Sequence, residues 1–336
     1  MKMFKVCKRS GKTFGRRFSG PLIFMVFSLL SICGAYAAEY PSKPIQMILT
    51  AAAGGSSDTL TRILCKRLPE LLGKPVTVVN KVGGGTVVGT LSVLGLPPDG
   101  HTLLCTEGLV VTPLIVKDIG YTVKDFTPFS VAVSTPMFVF VNKNAPWNTL
   151  EEFIADAKKN PGKFTYSSGA PGTISRLAGE LFQRDAGIKL TNVAYTGISL
   201  EAMTAVLGGH VTMACLSSMM CKPQYEAGKI KMLAAMYPKR FKDFPDVPTV
   251  AEKGFPGMIA TMWLGYFVHA KTPQPIVRRL YDTFQTLLKE KETATMVEQA
   301  GFVIENLEWS EIPKFLAKEH EKWSEIVNIV KQKEGT

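Results

Sequence analysis

IQMILTAAAGGSSDTLTRILCKRLPELL, residues 45–72, places an apolar run, a small-residue loop and a helical pattern in direct succession. Residues 45–50 are long enough for a strand and too short for an ordinary helix, whereas residues 59–72 carry apolar side chains at helical spacing. In the loop between them, Gly54 and Gly55 let the backbone turn tightly and approach a ligand closely. A helix that starts there leaves its first N–H groups without partners, and its dipole favours an anion. Ser56 and Ser57 add hydroxyl donors. The plain alternative is an ordinary helix start capped by Asp58 or Ser57.

Outward from this junction the chain alternates strands and helices, the mark of an α/β protein. A strand is expected over residues 76–80, a glycine-rich segment over 81–89 and a third strand over 101–105. Residues 136–142 and 262–270 read as strands that cross between two lobes. Thr149 and Glu152 form a capping box for a helix over 149–159. Residues 164–168 read as a strand followed by Gly169, Ala170, Pro171, Gly172 and Thr173, a second strand–loop–helix junction whose helix opens at Arg176. Further strands are expected at 211–215 and 230–236, and helices dominate from 275 to 331. Two such junctions, one per lobe, are what a hinged anion clamp needs. Each helix start contributes about 0.3–1 kcal/mol towards an anion, and each charge-assisted hydrogen bond roughly 1.5–3 kcal/mol. A handful reaches the roughly 8 kcal/mol of a micromolar complex.

The first forty residues set the compartment. Lys2, Lys5, Lys8, Arg9, Lys12, Arg16 and Arg17 precede a 13-residue apolar run at 21–33 and then Ala35-Tyr36-Ala37. That order is a secretory signal peptide, expected at residues 1–37, and a membrane-crossing helix needs about 20 apolar residues. The chain holds 39 basic and 28 acidic residues; without the seven basic leader residues it carries 32 against 28. The high pI therefore belongs largely to the leader, and no basic stripe interleaved with aromatics supports nucleic-acid binding. Cys65, Cys105, Cys215 and Cys221 remain, either as disulfides or as buried thiols. Neither loop fits the phosphate-binding GxxxxGK[ST] pattern, and the four scattered histidines show no metal-ligand spacing. No cofactor is expected.

Several short motifs in order make the chain resemble the extracytoplasmic receptors of tripartite tricarboxylate transporters, also called Bug receptors. They are Tyr40-Pro41-Ser42-Lys43-Pro44-Ile45, Gly54-Gly55-Ser56-Ser57-Asp58, Val78-Val79-Asn80-Lys81-Val82-Gly83 and Pro98-Asp99-Gly100-His101-Thr102-Leu103-Leu104. Ala178-Gly179-Glu180-Leu181-Phe182, Asp246-Val247-Pro248-Thr249-Val250-Ala251-Glu252 and Lys271-Thr272-Pro273 complete the set. The resemblance implies a two-lobed periplasmic-binding-protein fold of type II, each lobe a mixed, mainly parallel sheet flanked by helices with the ligand between lobes. Lobe 1 is expected at 38–138 plus 262–336 and lobe 2 at 139–261. The implied partners are a small organic carboxylate and integral-membrane transporter subunits, for a soluble monomer in the periplasm of a Gram-negative-type cell.

Carried over, the grip falls on Gly54, Gly55, Ser56 and Ser57, on Ser168, Gly169, Ala170, Gly172 and Thr173, and on Arg176, Tyr195, Thr196 and Ser217. Where such receptors usually carry an aromatic, a proline, a glycine and a histidine, this chain has Ala51, Ala53, Ala170 and Arg176. Where they often read Phe-Asp-Asn, it has Cys215-Leu216-Ser217. Losing bulk and polarity at Ala51, Leu216 and Ser217 suggests a roomier pocket for a bulkier monocarboxylate. Arg176 either grips a second carboxylate or points to solvent, and Glu107 either faces the cleft or is a surface charge. Trp263 and Tyr266 are read as core or as cleft lining. A receptor feeding a membrane sensor is the alternative function, and a secreted hydrolase using Ser57, Asp58 and His101 or His210 is a remote one; no GxSxG elbow supports it.

Overall fold

The computed structural model describes residues 40–169, 173–195 and 199–334, so the expected leader, Ala170, Gly172 and Thr196 lie outside the described residues. In chain order the elements are β1 (Ile45–Leu49), α1 (Ser56–Leu72), β2 (Val76–Asn80), α2 (Val87–Leu94), β3 (Thr102–Thr106), α3 (Thr112–Ile115) and β4 (Phe126–Asn142). Next come α4 (Leu150–Lys159), β5 (Thr165–Ser168), α5 (Ile174–Ala186), β6 (Thr191–Ala194), α6 (Ser199–Leu207), β7 (Met213–Ser217), α7 (Ser218–Glu226) and β8 (Ile230–Ala235). The last are β9 (Thr261–His269), α8 (Gln274–Lys289), α9 (Lys291–Gln299), β10 (Val303–Ile304) and α10 (Ile312–Glu334).

The strand order is β2-β1-β3-β9-β4-β7-β5-β6, with β10 and β8 also pairing on β4. β1 runs parallel to both β2 and β3, so their C-terminal ends open on one edge. β5 runs parallel to β6 and β7 and does the same in the other half. β4 belongs to both: Phe126 to Pro136 pair antiparallel with β9, and Met137 to Val141 pair with β7. Its interior is buried on both faces, although Thr127, Pro128, Ser130, Ser134, Thr135 and Pro136 break up its apolar residues. Only its last third is foreseeable from the sequence, because Pro128 and Pro136 argue against a central strand. The strand absorbs them: a register shift falls just after Pro128, and Pro136 sits where the pairing passes from β9 to β7.

Each half has an aromatic core. Phe129, Tyr266 and Phe284 pack together in one, and Phe138, Phe241 and Phe244 in the other. The capping box at Thr149 forms as expected, with the Glu152 N–H donating to Thr149 Oγ1 at 3.2 Å. All four described cysteines are buried free thiols. No described helix is long and apolar enough to cross a membrane.

Candidate functional site

The site begins where β1 hands over to α1. Gly54 sits at φ +80°, a conformation that costs a side-chain-bearing residue roughly 1–2 kcal/mol. Its N–H donates to Asp58 Oδ2 at 3.0 Å, and Asp58 Oδ1 accepts from Asn80 Nδ2 at 2.9 Å. Arg62 closes the clasp, Nε lying 3.0 Å from both carboxylate oxygens. Burial alone would raise the Asp58 carboxyl; the hydrogen bonds from Arg62, Gly54 and Asn80 outweigh it and hold the group below its ordinary range. Asp58 therefore braces the loop instead of capping the helix. Gly55 is the N-cap residue and no side chain caps α1, so its first-turn N–H groups are not taken up by a cap.

The second half presents a matching helix start in addition to the one expected after β5. β7 ends at Ser217, which is the N-cap residue of α7, and again no side chain supplies a cap hydrogen bond. Ser56 Oγ and Ser217 Oγ lie 3.2 Å apart, both buried. Two helix N-termini from opposite halves thus meet through a pair of hydroxyls. Ser218 anchors the α7 start, its Oγ 2.7 Å from Thr135 Oγ1 on β4 and donating to the Gly301 carbonyl. The sequence reading missed α7 because Pro223 lies inside it and its apolar face is weak. The signal was there in Ser217-Ser218 at a strand's end.

The described residues on either side of the junction after β5 are hydrogen-bonded locally. α5 starts at Ile174, two residues earlier than expected, and Thr173 Oγ1 caps it by accepting from the Arg176 N–H at 3.4 Å. The Gly169 N–H donates to Ser175 Oγ at 3.1 Å, and Ser168 Oγ donates to Asn192 Oδ1 at 2.7 Å. The Tyr195 N–H donates to the Ser168 carbonyl at 2.9 Å. Arg176 does not point to solvent: it is buried, with Nη2 3.3 Å from Glu180 Oε1, and Glu180 also accepts from Tyr166 OH at 2.6 Å. Ala170, Gly172 and Thr196 lie outside the described residues.

The structure also places the other side chains that the sequence singles out. Leu216 is packed in the core, so it does not shape a pocket wall. Trp263 is also core, donating to Glu319 Oε2 at 3.0 Å, and Tyr266 is fully buried against Phe284. Glu107 is only partly exposed, and its Oε2 is buried without a hydrogen-bond partner. His101 accepts from the Ser42 N–H at 3.1 Å and sits beside Asp99, while His210 is exposed on the other half, so neither joins Ser57 in a triad. Among the described residues, no group of three metal-ligating side chains occurs.

With this geometry established, comparison with known proteins gives a consistent result. The family model described as tripartite tricarboxylate transporter family receptor matches residues 60–331. Protein BugT of Bordetella pertussis is 30% identical over 295 residues, spanning 87% of this chain and 90% of that protein. The structure of R. palustris Rpa4515 with adipate superposes with a TM-score of 0.80 at 26% identity, covering 86% of this chain and 97% of that one. MatC from Rhodopseudomonas palustris with bound malate gives a TM-score of 0.77 at 25% identity, with 86% and 100% covered.

Proposed function

The chain belongs to the tripartite tricarboxylate transporter receptor family, and from that premise we propose that it captures a small organic carboxylate in the periplasm and delivers it to the membrane subunits of such a transporter. Membership makes it a binding protein and not an enzyme, with the α/β two-lobed fold of periplasmic receptors. The lobes of this reading are residues 38–138 plus 262–336 and residues 139–261, and the leader at 1–37 exports the chain.

The observation that carries the reading is the meeting of the α1 and α7 starts, neither capped by a side chain, at the Ser56–Ser217 contact. A carboxylate entering there would replace the hydroxyl pair and accept from backbone N–H groups of both halves, the arrangement that helix N-termini offer an anion. Residues 54–57 and Ser217 form the primary grip in this reading. Ser168, Gly169, Thr173 and Tyr195 line the far wall in this reading, and Arg176 braces that wall through Glu180. Relatives solved with adipate and malate support a carboxylate as the ligand class.

Native mass spectrometry of the protein purified from its periplasm, followed by titration calorimetry with the co-purified compound, tests this. A carboxylate whose binding weakens at least ten-fold in Ser217→Ala is the expected result. A bound compound without an acidic group would end the proposal.

A further inference from the structure

Glu107 is a carboxyl group that this site does not yet use. It directly follows β3, and β3 lies in parallel beside β1 with Leu49 opposite Cys105. Thr50 Oγ1 donates to Thr106 Oγ1 at 2.9 Å, so the two chain exits are fastened together: one leads to the 54–57 loop, the other to Glu107. The backbone there is fixed. The Gly108 N–H donates to Thr106 Oγ1 at 3.0 Å, and a Cβ on Gly108 would lie 2.5 Å from Thr86 Oγ1.

Two properties of the side chain coincide. Protein surrounds Glu107 and burial pushes its carboxyl up to about 7; yet the residue keeps part of its surface accessible. The side chain stands on the edge that also carries the α1 start. Its Oε2 has no hydrogen-bond partner, and buried polar atoms are rarely left that way unless something outside the chain supplies the partner.

Resting on the carboxylate-receptor reading, we propose that Glu107 makes the cleft selective for an acid that carries a hydrogen-bond donor, an ammonium or hydroxyl group, beside its carboxylate. The 54–57 loop holds the ligand's negative end and Glu107 accepts from the donor. A second carboxylate in the donor's place would face Glu107 charge against charge, so plain diacids are disfavoured at a pH where Glu107 is ionised. The other titratable neighbours do not blur this. Cys105 and Tyr266 are held neutral by burial, Asp58 is already ionised, and His101 lies at the opposite end of β3.

Titration calorimetry on the mature protein with matched quartets of acids tests it, each comprising the plain, 2-hydroxy, 2-amino and dicarboxylic member of one skeleton. Aliphatic skeletons of four and six carbons and a phenylpropanoate skeleton cover small and bulky ligands. At pH 8.5 the hydroxy or amino member should bind at least ten-fold tighter than the plain and dicarboxylic members, the size of one charge-assisted hydrogen bond. At pH 5.5 the penalty against the diacid should shrink. Glu107→Gln should erase the preference at pH 8.5, and because the pH comparison uses the wild-type protein alone, it stands even if that variant folds poorly. A diacid that binds best at pH 8.5, or a preference unchanged in a folded Glu107→Gln, overturns the assignment of Glu107 while leaving the receptor reading intact. Binding by no acid of any quartet, with a non-acidic compound co-purifying, overturns the receptor reading itself.

Discussion

Asp58 shows how far one residue can be read in advance. A carboxylate in a helix's first turn is open to more than one interpretation, a cap or part of an anion loop before all. The structure gives it another task, drawing Gly54, Asn80 and Arg62 together behind the loop. Its folded pKa lies below the ordinary 3.8, so the stability it contributes is present above about pH 4 and is lost as pH falls through the folded value. Asp58→Asn should therefore cost about 1.5–3 kcal/mol of stability at pH 6 for the charge-assisted bonds removed, read as a lower urea midpoint, and flatten the decline between pH 4 and 2. An unchanged acid limb would show that the clasp is not formed. The cysteines allow a second check. Burial pushes Cys65 and Cys215 up to about 12, so the native protein should resist a thiol reagent that modifies all four sites in urea. The sequence leaves Arg176 open between grip and solvent and Glu107 between cleft and surface for one reason: whether a charged side chain is enclosed depends on elements distant in the chain, even where, as for Arg176 and Glu180 four residues on, the ion-pair spacing itself is local.

Helix starts are the elements on which binding turns, and here two kinds coexist. α5 is capped by Thr173, whereas α1 and α7 have no side-chain cap. Removing the Thr173 hydroxyl by Thr173→Ala should cost about 1 kcal/mol of stability, measured by thermal melting, with ligand affinity changed far less than by Ser217→Ala. The Ser56–Ser217 contact should appear in a double-mutant cycle as a coupling of about 0.5–1.5 kcal/mol in stability. Additive single effects would mean the hydroxyls do not interact. The junction at residues 45–72 was legible because glycine, serine and a change of hydrophobic period coincide there. α7 was not, since a proline six residues in and a weak apolar face hide it, and tertiary packing against β4 and β8 stabilises it instead.

For the whole molecule, the alternating pattern carried the architecture, and the sharing of β4 between two sheets did not follow from it. A strand interrupted by Pro128 and Pro136 looks like two fragments until its partners on either side are known. α10 supplies a second long-range tie. Glu319 accepts from the indoles of Trp263 on β9 and Trp323 on α10, at 3.0 and 2.9 Å, and Arg184 on α5 lies 3.3 Å from Glu325. Glu319→Ala leaves two indole N–H groups buried and unpaired, so it should destabilise the protein by about 2–4 kcal/mol, read as a lower urea midpoint with an unchanged slope.

The passage of β4 from β9 to β7 has one more consequence. The Met137 N–H donates to the Ala260 carbonyl at 3.1 Å, so the chain enters and leaves the β5–β8 half through adjacent backbone. That half is topologically a guest threaded into a host through a single doorway. Joining residues 136 and 261 with a short linker should leave a host still able to fold, and a polypeptide of residues 137–260 has ends close enough to be cyclised or transplanted into another scaffold.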